Sequence, residues 1–312
     1  MTRRVLAPPG TSVDDVQVRS GSLQLAGTYL APAGPVGGAL VLAASGRVDR
    51  NSDLSRLRTG VTAALATTLA RAGLATLRYD KRGTGNSEGD YFEAGMTENA
   101  EDAWAARDWL ARRLEGLPLV AVGYSEGALY AADLAAEGAV DACALFCCPA
   151  RPVADVLAWQ ADKLSQALPR RARLLMALAR TSPAQQHQER MAELRSLEEQ
   201  DRRLRGARVN TRWWRQFLEH DPVPILNRVA VPVLALTGGM DTQVPPEDVA
   251  TIGRLVRGPF QGAVPPTLNH ILRSDPTGRG PFGYRRSARR PVSDEATGPL
   301  RDWVRQALAG RA

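Results

Sequence analysis

Lysine is almost missing from this chain. Of its 40 basic residues only Lys81 and Lys163 are lysines, and the rest are arginine. The guanidinium fork suits anion recognition, but a compositional bias toward arginine explains the skew without any ligand. No run interleaves basic residues with aromatics, so despite a net charge of +7 no nucleic-acid partner is expected. Cysteine is scarce too. Cys143, Cys147 and Cys148 lie too close together to staple distant segments. They show neither CxxC nor metal-ligand spacing. They read as small buried apolar side chains in a reducing compartment. Long apolar runs are absent: stretches such as residues 38–44, GALVLAA, are strand-sized, far short of the roughly 20 residues that cross a bilayer. The opening MTRRVLAPPGTS carries charge but no apolar core behind it, so it does not read as a secretory signal. A cytoplasmic location is the expectation.

What is present is ordinary globular composition, 44% hydrophobic and 23% charged, with 312 residues to build a core without staples. VQVRS and LQLAGTYLAP near the start read as strands. GALVLAAS (38–45) has the continuous apolarity of a buried central strand, and a helix is expected over 61–72. ATLRYD (75–80) is a further strand, followed by the Gly-rich RGTGNSEG. A helix over 97–114, with Trp104 and Trp109 on its packed face, leads to the strand LPLVAVGY (117–124). A small-residue helix runs from there to Gly138, followed by the strand ACALFCC (142–148). Strands alternating with helices predict a mostly parallel, doubly wound α/β sheet. The alternation stops at 150–225, which is helical by pattern with no strand candidate. It resumes with VPVLALTGG (231–239), a helix near 246–257, FQGAV, and a last helix near 298–309. The expected organisation is therefore an α/β core of 1–150 and 225–312, interrupted by a helical cap of 151–224 that can cover a site.

The chemistry concentrates at Gly123-Tyr124-Ser125-Glu126-Gly127. G-x-S-x-G alone is common. Here a buried strand precedes it and a helix follows at once, the context in which a serine is held on a strained turn with its hydroxyl exposed. The flanking glycines allow close backbone approach, and the helix N-terminus offers N–H groups to a developing oxyanion. The plainer alternative is a serine capping an ordinary helix. A serine nucleophile needs a base, and the chain has three histidines. His187 sits among polar residues in the excursion, and His220 sits near its exit. Only His270 falls where a loop from the far end of the sheet can reach Ser125. The imidazole needs an orienting carboxylate. Asp241, just past the strand ending at Gly239, is the first candidate, because sites in open sheets collect at carboxyl ends of strands. Asp248 is the alternative, although it suits the first turn of the next helix. Asp80 is a weaker one and is expected to organise the Gly-rich turn. The oxyanion donors expected are the Glu126 N–H and, from the loop Ser45–Asn51, the Arg47 N–H, with Gly46 permitting the turn. The Glu126 side chain is either a helix-start carboxylate or a substrate contact.

SGRVDRNSD, LRYDKRGTGNSEG, VGYSEGALYA, LTGGMDTQVPPED and LNHIL together resemble the carboxylesterase and dipeptidyl-aminopeptidase-like serine hydrolases of the α/β-hydrolase family. The resemblance covers about residues 15–150 and 225–310. It implies a Ser125-Asp241-His270 mechanism without metal or organic cofactor, in the nucleophile–acid–base order usual for that fold. One departure is Ser45-Gly46, where many relatives have His-Gly.

The expected activity is cleavage of a carboxylic ester or related acyl bond of a small molecule, with a thioesterase or acyltransferase as the nearest rival. A peptidase ranks lower because no propeller-like segment precedes the core. A non-catalytic ligand receptor is the rival from another class. Residues 151–220 hold 14 Lys/Arg against 8 Asp/Glu, a basic rim that would attract anionic substrates or is simply a solvated face. Trp213 and Trp214 either wall the substrate site, with Gly46 and Tyr124, or pack the cap on the core. The Arg-rich stretch after His270 reads as a mobile irregular loop. A second copy of the chain, as a homodimer, is the macromolecular partner considered.

Overall fold

The apolar runs become the middle of one sheet. The computed structural model describes residues 7–167, 189, 191–194, 196, 203, 204, 206–278 and 280–309. Its strands are β1 (Thr11–Ser20), β2 (Leu23–Pro32), β3 (Gly37–Leu42), β4 (Leu74–Tyr79), β5 (Leu119–Tyr124), β6 (Ala142–Phe146), β7 (Arg203–Leu204), β8 (Ala207–Arg208), β9 (Val233–Leu236) and β10 (Phe260–Ala263). Its helices, labelled in chain order, are α1 (Val61–Arg71), α2 (Met96–Arg113), α3 (Glu126–Ala136), α4 (Val153–Ala167), α5 (Thr211–Glu219), α6 (Val223–Leu226), α7 (Asp248–Leu255), α8 (Tyr284–Ser287) and α9 (Asp294–Leu308).

Eight strands form the main sheet in the order β1-β2-β4-β3-β5-β6-β9-β10. β2 runs antiparallel to both its neighbours, and all other pairings are parallel. The chain steps from β3 outward to β4, then returns to place β5 on β3's other side. The strand order therefore reverses at β3, and the crevice beyond the carboxyl ends of β3 and β5 is where such sheets bind ligands.

Residues of β3, β4, β5, β6 and β9 are buried throughout, as strands covered on both faces must be. Their side chains alternate between two cores. Leu119 and Ala121 of β5 join the cluster under α2 and α3. Val120, Val122 and Tyr124 join the one under α1 and α9, with Val61, Leu65, Leu69, Leu300 and Trp303. Each fully buried Leu or Val contributes about 1.5–3 kcal/mol.

The closest packing lies where β5 turns into α3. A Cβ on Gly123 would strike the Gly127 carbonyl and the Ala128 Cα, and a Cβ on Gly127 would strike the carbonyls of Leu42 and Ala43 at the end of β3. Both glycines of the G-x-S-x-G run are thus set by backbone contact.

The excursion begins and ends at one place, because the Val153 N–H donates to the His220 carbonyl at 3.0 Å. Near its exit, Gln216 of α5 accepts from the N–H groups of Met96 and Thr97 at 2.5 and 3.2 Å. Asn210 donates to the Ala94 carbonyl at 2.7 Å. These bonds dock the segment on the start of α2. The expectation of helix throughout is corrected at one point. β7 and β8 pair as a short antiparallel hairpin, too brief for periodicity to reveal. The stretch after His270 is also more ordered than expected, carrying a 3-10 turn at Gly280–Gly283 and then α8.

Gly127→Ala should lower stability by about 1–3 kcal/mol or more through overpacking against backbone, measured by urea unfolding. An unchanged midpoint would show that α3 can shift off β3.

Candidate active site

Ser125 sits between β5 and α3 with φ 55° and ψ −120°. A non-glycine residue held there costs on the order of 1–3 kcal/mol and persists only where its surroundings impose it. The Ser125 N–H donates to the Phe146 carbonyl of the adjacent β6 at 2.8 Å. Its hydroxyl makes no capping bond to α3, so the serine is not serving as an ordinary helix cap. Among the described residues, the other non-glycines with positive φ are Ser52, Cys147 and Leu272. Ser52 lines the same cavity as Ser125, while Cys147 follows β6 and Leu272 lies two residues past His270.

His270 and Asp241 are brought together from the loops after β10 and β9. The His270 Nδ1 lies 2.8 Å from Asp241 Oδ2, and both residues are buried. Asp241 Oδ1 accepts from the N–H groups of Gln243 and Val244 at 2.7 and 3.0 Å. With Nδ1 donating to the carboxylate, Nε2 is the ring nitrogen left to accept a proton. The histidine turn is clamped from below, where the Tyr124 hydroxyl donates to the His270 carbonyl at 3.1 Å. It is closed on itself by Asn269, whose carbonyl accepts from the Leu272 N–H at 2.9 Å and whose Oδ1 accepts from the Arg273 N–H at 3.0 Å.

Ser125, His270 and Tyr124 line one cavity of about 410 Å³, a size suited to a small molecule. A larger cleft of about 740 Å³ between α1, α9 and the 288–292 segment contains none of these three and meets the first only at Leu54 and Thr59. The smaller cavity is the candidate site because the chemically competent groups are in it.

Asp80 holds the loop after β3 in place. Its carboxylate accepts from the Arg50 N–H at 2.7 Å, from Arg50 Nη2 at 2.8 Å and from the Asn86 N–H at 3.0 Å. It therefore ties the loop after β3 to the Gly-rich turn. In that loop Gly46 adopts φ 86°. Ala44 and Ser45 line the cavity, whereas Gly46 and Arg47 do not. The Arg47 guanidinium instead lies over Tyr91 and Phe92, at 6.0 and 5.8 Å from the ring centroids.

Other candidates lie elsewhere. Asp248 binds Arg151 Nε at 2.8 Å and the Ala150 N–H at 3.0 Å, fastening the start of the excursion. The Glu126 side chain turns inward, accepting from the Tyr130 hydroxyl at 2.6 Å, with Lys81 Nζ at 3.7 Å. Burial and this carboxylate raise the Tyr130 pKa well above its usual value. Trp213 stacks on Phe217 with centroids 4.4 Å apart, and Trp214 meets Trp213 edge-on at 4.9 Å. Neither tryptophan lines the cavity; they pack the excursion onto the core. His220 is largely buried, which lowers its pKa. His187 lies outside the described residues.

A family model described as serine aminopeptidase, S33, matches residues 58–270. The chain belongs to the serine aminopeptidase S33 family. Among solved structures this S33 chain is similar to a proline iminopeptidase from Mycobacterium smegmatis, with a TM-score of 0.65 at 16% identity, covering 96% of this chain and 100% of that one. It is also similar to Est1E from Butyrivibrio proteoclasticus with ferulic acid bound (TM-score 0.63, 15% identity, 94% and 99% covered). An esterase from Pyrococcus furiosus follows at TM-score 0.59 and 15% identity, with 95% and 90% covered. At these identities the likeness is one of fold, the α/β-hydrolase fold. No curated protein matches. Among the described residues no helix is long and apolar enough to span a membrane.

Sequence reasoning missed the cavity walls from α4 and from 242–284: Gln160, Lys163, Thr242, Gln243 and Tyr284. It also missed the setting of Cys147. Cys147, Asp241 and His270 place ligand atoms within 4.8 Å of one another, a spacing a metal site would share. Asp241 and His270 are engaged with each other, and the Asp241 carboxylate also accepts from two backbone N–H groups. Burial, followed by Asp241, drives the Cys147 pKa well above its usual value.

All three cysteines are buried and free. Burial pushes Cys143 up to about 12, and Cys147 and Cys148 also move upward. The folded protein should therefore resist dithionitrobenzoate at pH 8 and release three thiols in guanidinium. Rapid native labelling would contradict this burial.

Proposed function

We propose that this protein is a serine hydrolase that cleaves a carboxylic ester or related acyl bond through an acyl-enzyme. The observation carrying this reading is a Ser125 held at positive φ and lining the same cavity as His270, whose Nδ1 is held by Asp241 at 2.8 Å. His270 Nε2 takes the hydroxyl proton as Ser125 attacks the carbonyl, and Asp241 holds the tautomer and stabilises the imidazolium. The first oxyanion donor is the Glu126 N–H at the start of α3. The loop after β3 supplies the second. Ser45 lines the cavity and Arg47 does not, which favours the Ser45 N–H over the Arg47 N–H. The protonated His270 then gives its proton to the leaving group. Water activated by the neutral imidazole releases the acyl group.

Residues 151–224 act in this reading as a cap, supported by Gln160 and Lys163 of α4 in the cavity wall. The choice of ester over aminopeptide rests on charge. Holding a substrate α-ammonium calls for a carboxylate, and among the described residues lining the cavity there is no Asp or Glu.

Hydrolysis of p-nitrophenyl esters of increasing acyl length should proceed in the wild type. It should fall by on the order of 10⁴-fold or more in Ser125→Ala and by about 10⁴-fold in Asp241→Asn. Amino-acid p-nitroanilides should be poor substrates. Full activity of folded Ser125→Ala would remove the nucleophile assignment, and preference for the anilides would move the protein to the aminopeptidases.

A further inference from the structure

Among the described residues, the wall of this cavity carries a cation and no anion. We infer that its substrate is an ester carrying a carboxylate remote from the scissile bond, and that Lys163 binds this carboxylate. The inference rests on the hydrolase reading for its chemistry but not for its binding.

Lys163 is on α4, three residues after Gln160, and residues three apart share one face of a helix. Both line the cavity that holds Ser125 and His270. The Gln160 side chain donates to the Gln243 carbonyl at 2.6 Å, so this face of α4 is fastened to the loop that follows Asp241. The Lys163 ammonium lies 5.3 Å from the Trp159 ring centroid, a contact that limits its wandering and leaves its charge available. Among the described residues no carboxylate pairs with it, and no Asp or Glu lines the cavity.

A second observation lies on the same wall. Thr242, between Asp241 and Gln243, lines the cavity, as does Tyr284, whose hydroxyl is met by the Thr242 side chain and by Gln243 Nε2. Hydroxyls rotate to suit their partners, so this pair can turn an O–H toward a ligand acceptor. A carboxylate accepts from both an ammonium and a hydroxyl, and a neutral alkyl terminus from neither.

The test compares p-nitrophenyl hydrogen adipate with p-nitrophenyl hexanoate, which share acyl length and differ by one terminal carboxylate. The wild type should favour the adipate in kcat/KM. Lys163→Met, which keeps the stem and suits a helix, should lower the adipate-to-hexanoate ratio by about tenfold to a hundredfold, the loss of one charge-assisted hydrogen bond. Lys163→Glu should lower it further. A ratio unmoved by either substitution overturns the inference. Binding supplies an arm free of turnover: monomethyl adipate should bind Ser125→Ala at least tenfold more tightly than Ser125→Ala combined with Lys163→Met, read by calorimetry. If the wild type hydrolyses neither ester, the hydrolase reading falls and the calorimetric comparison alone decides the Lys163 assignment. Equal affinities would overturn it.

Discussion

The site depends on how closely the turn between β5 and α3 approaches the end of β3. Only glycine at 123 and 127 lets the first turn of α3 lie against the carbonyls of Leu42 and Ala43. That approach brings the serine and the loop after β3 to one side of the sheet. It also imposes the positive φ of Ser125, a conformation that a serine would not hold without such support. The oxyanion donors proposed above lie on the two backbones that this contact brings together.

Around that contact the protein spends polar groups on loop placement. Asp80 joins the loop after β3 to the Gly-rich turn through Arg50 and the Asn86 N–H. Tyr124, the residue before the serine, fastens the carbonyl of His270, so the strand leading to Ser125 also registers the loop that carries His270. Asp241 is fixed by two backbone donors before it meets the imidazole. Breaking buried interactions of this kind leaves a charge or dipole unpaired in a low dielectric, which is costly. Each loop is therefore determined locally even though the three come from distant parts of the chain.

The alternation of apolar runs with helix-period segments predicted the parallel sheet because a strand covered on both faces must be continuously apolar, and the runs at 38–45, 117–124 and 142–148 were. The meeting of His270 with Asp241, and with Ser125 in one cavity, was legible for a related reason. Each follows within a few residues of a strand end, and the chain has only three histidines. The assignment of Asp80 to the Gly-rich turn was legible from its strand-end position. The hairpin at β7–β8 was not, since two-residue strands have no period to detect. The fate of Trp213 and Trp214 was also undecided, because an aromatic pair on an amphipathic helix packs equally well against a core or a ligand.

The sequence by itself determined the sheet, the serine turn and the order of the candidate acid and base, because these follow from local pattern and strand register. The tertiary structure alone decided what lines the cavity. Lys163, Gln160 and Thr242 meet there because α4 folds back onto the loop after β9, and the Glu126 carboxylate is absent because its helix turns it into the core. Contacts between segments some 80 residues apart leave no periodic trace in either segment. The polarity of the site, and with it the choice of substrate, is therefore set by packing.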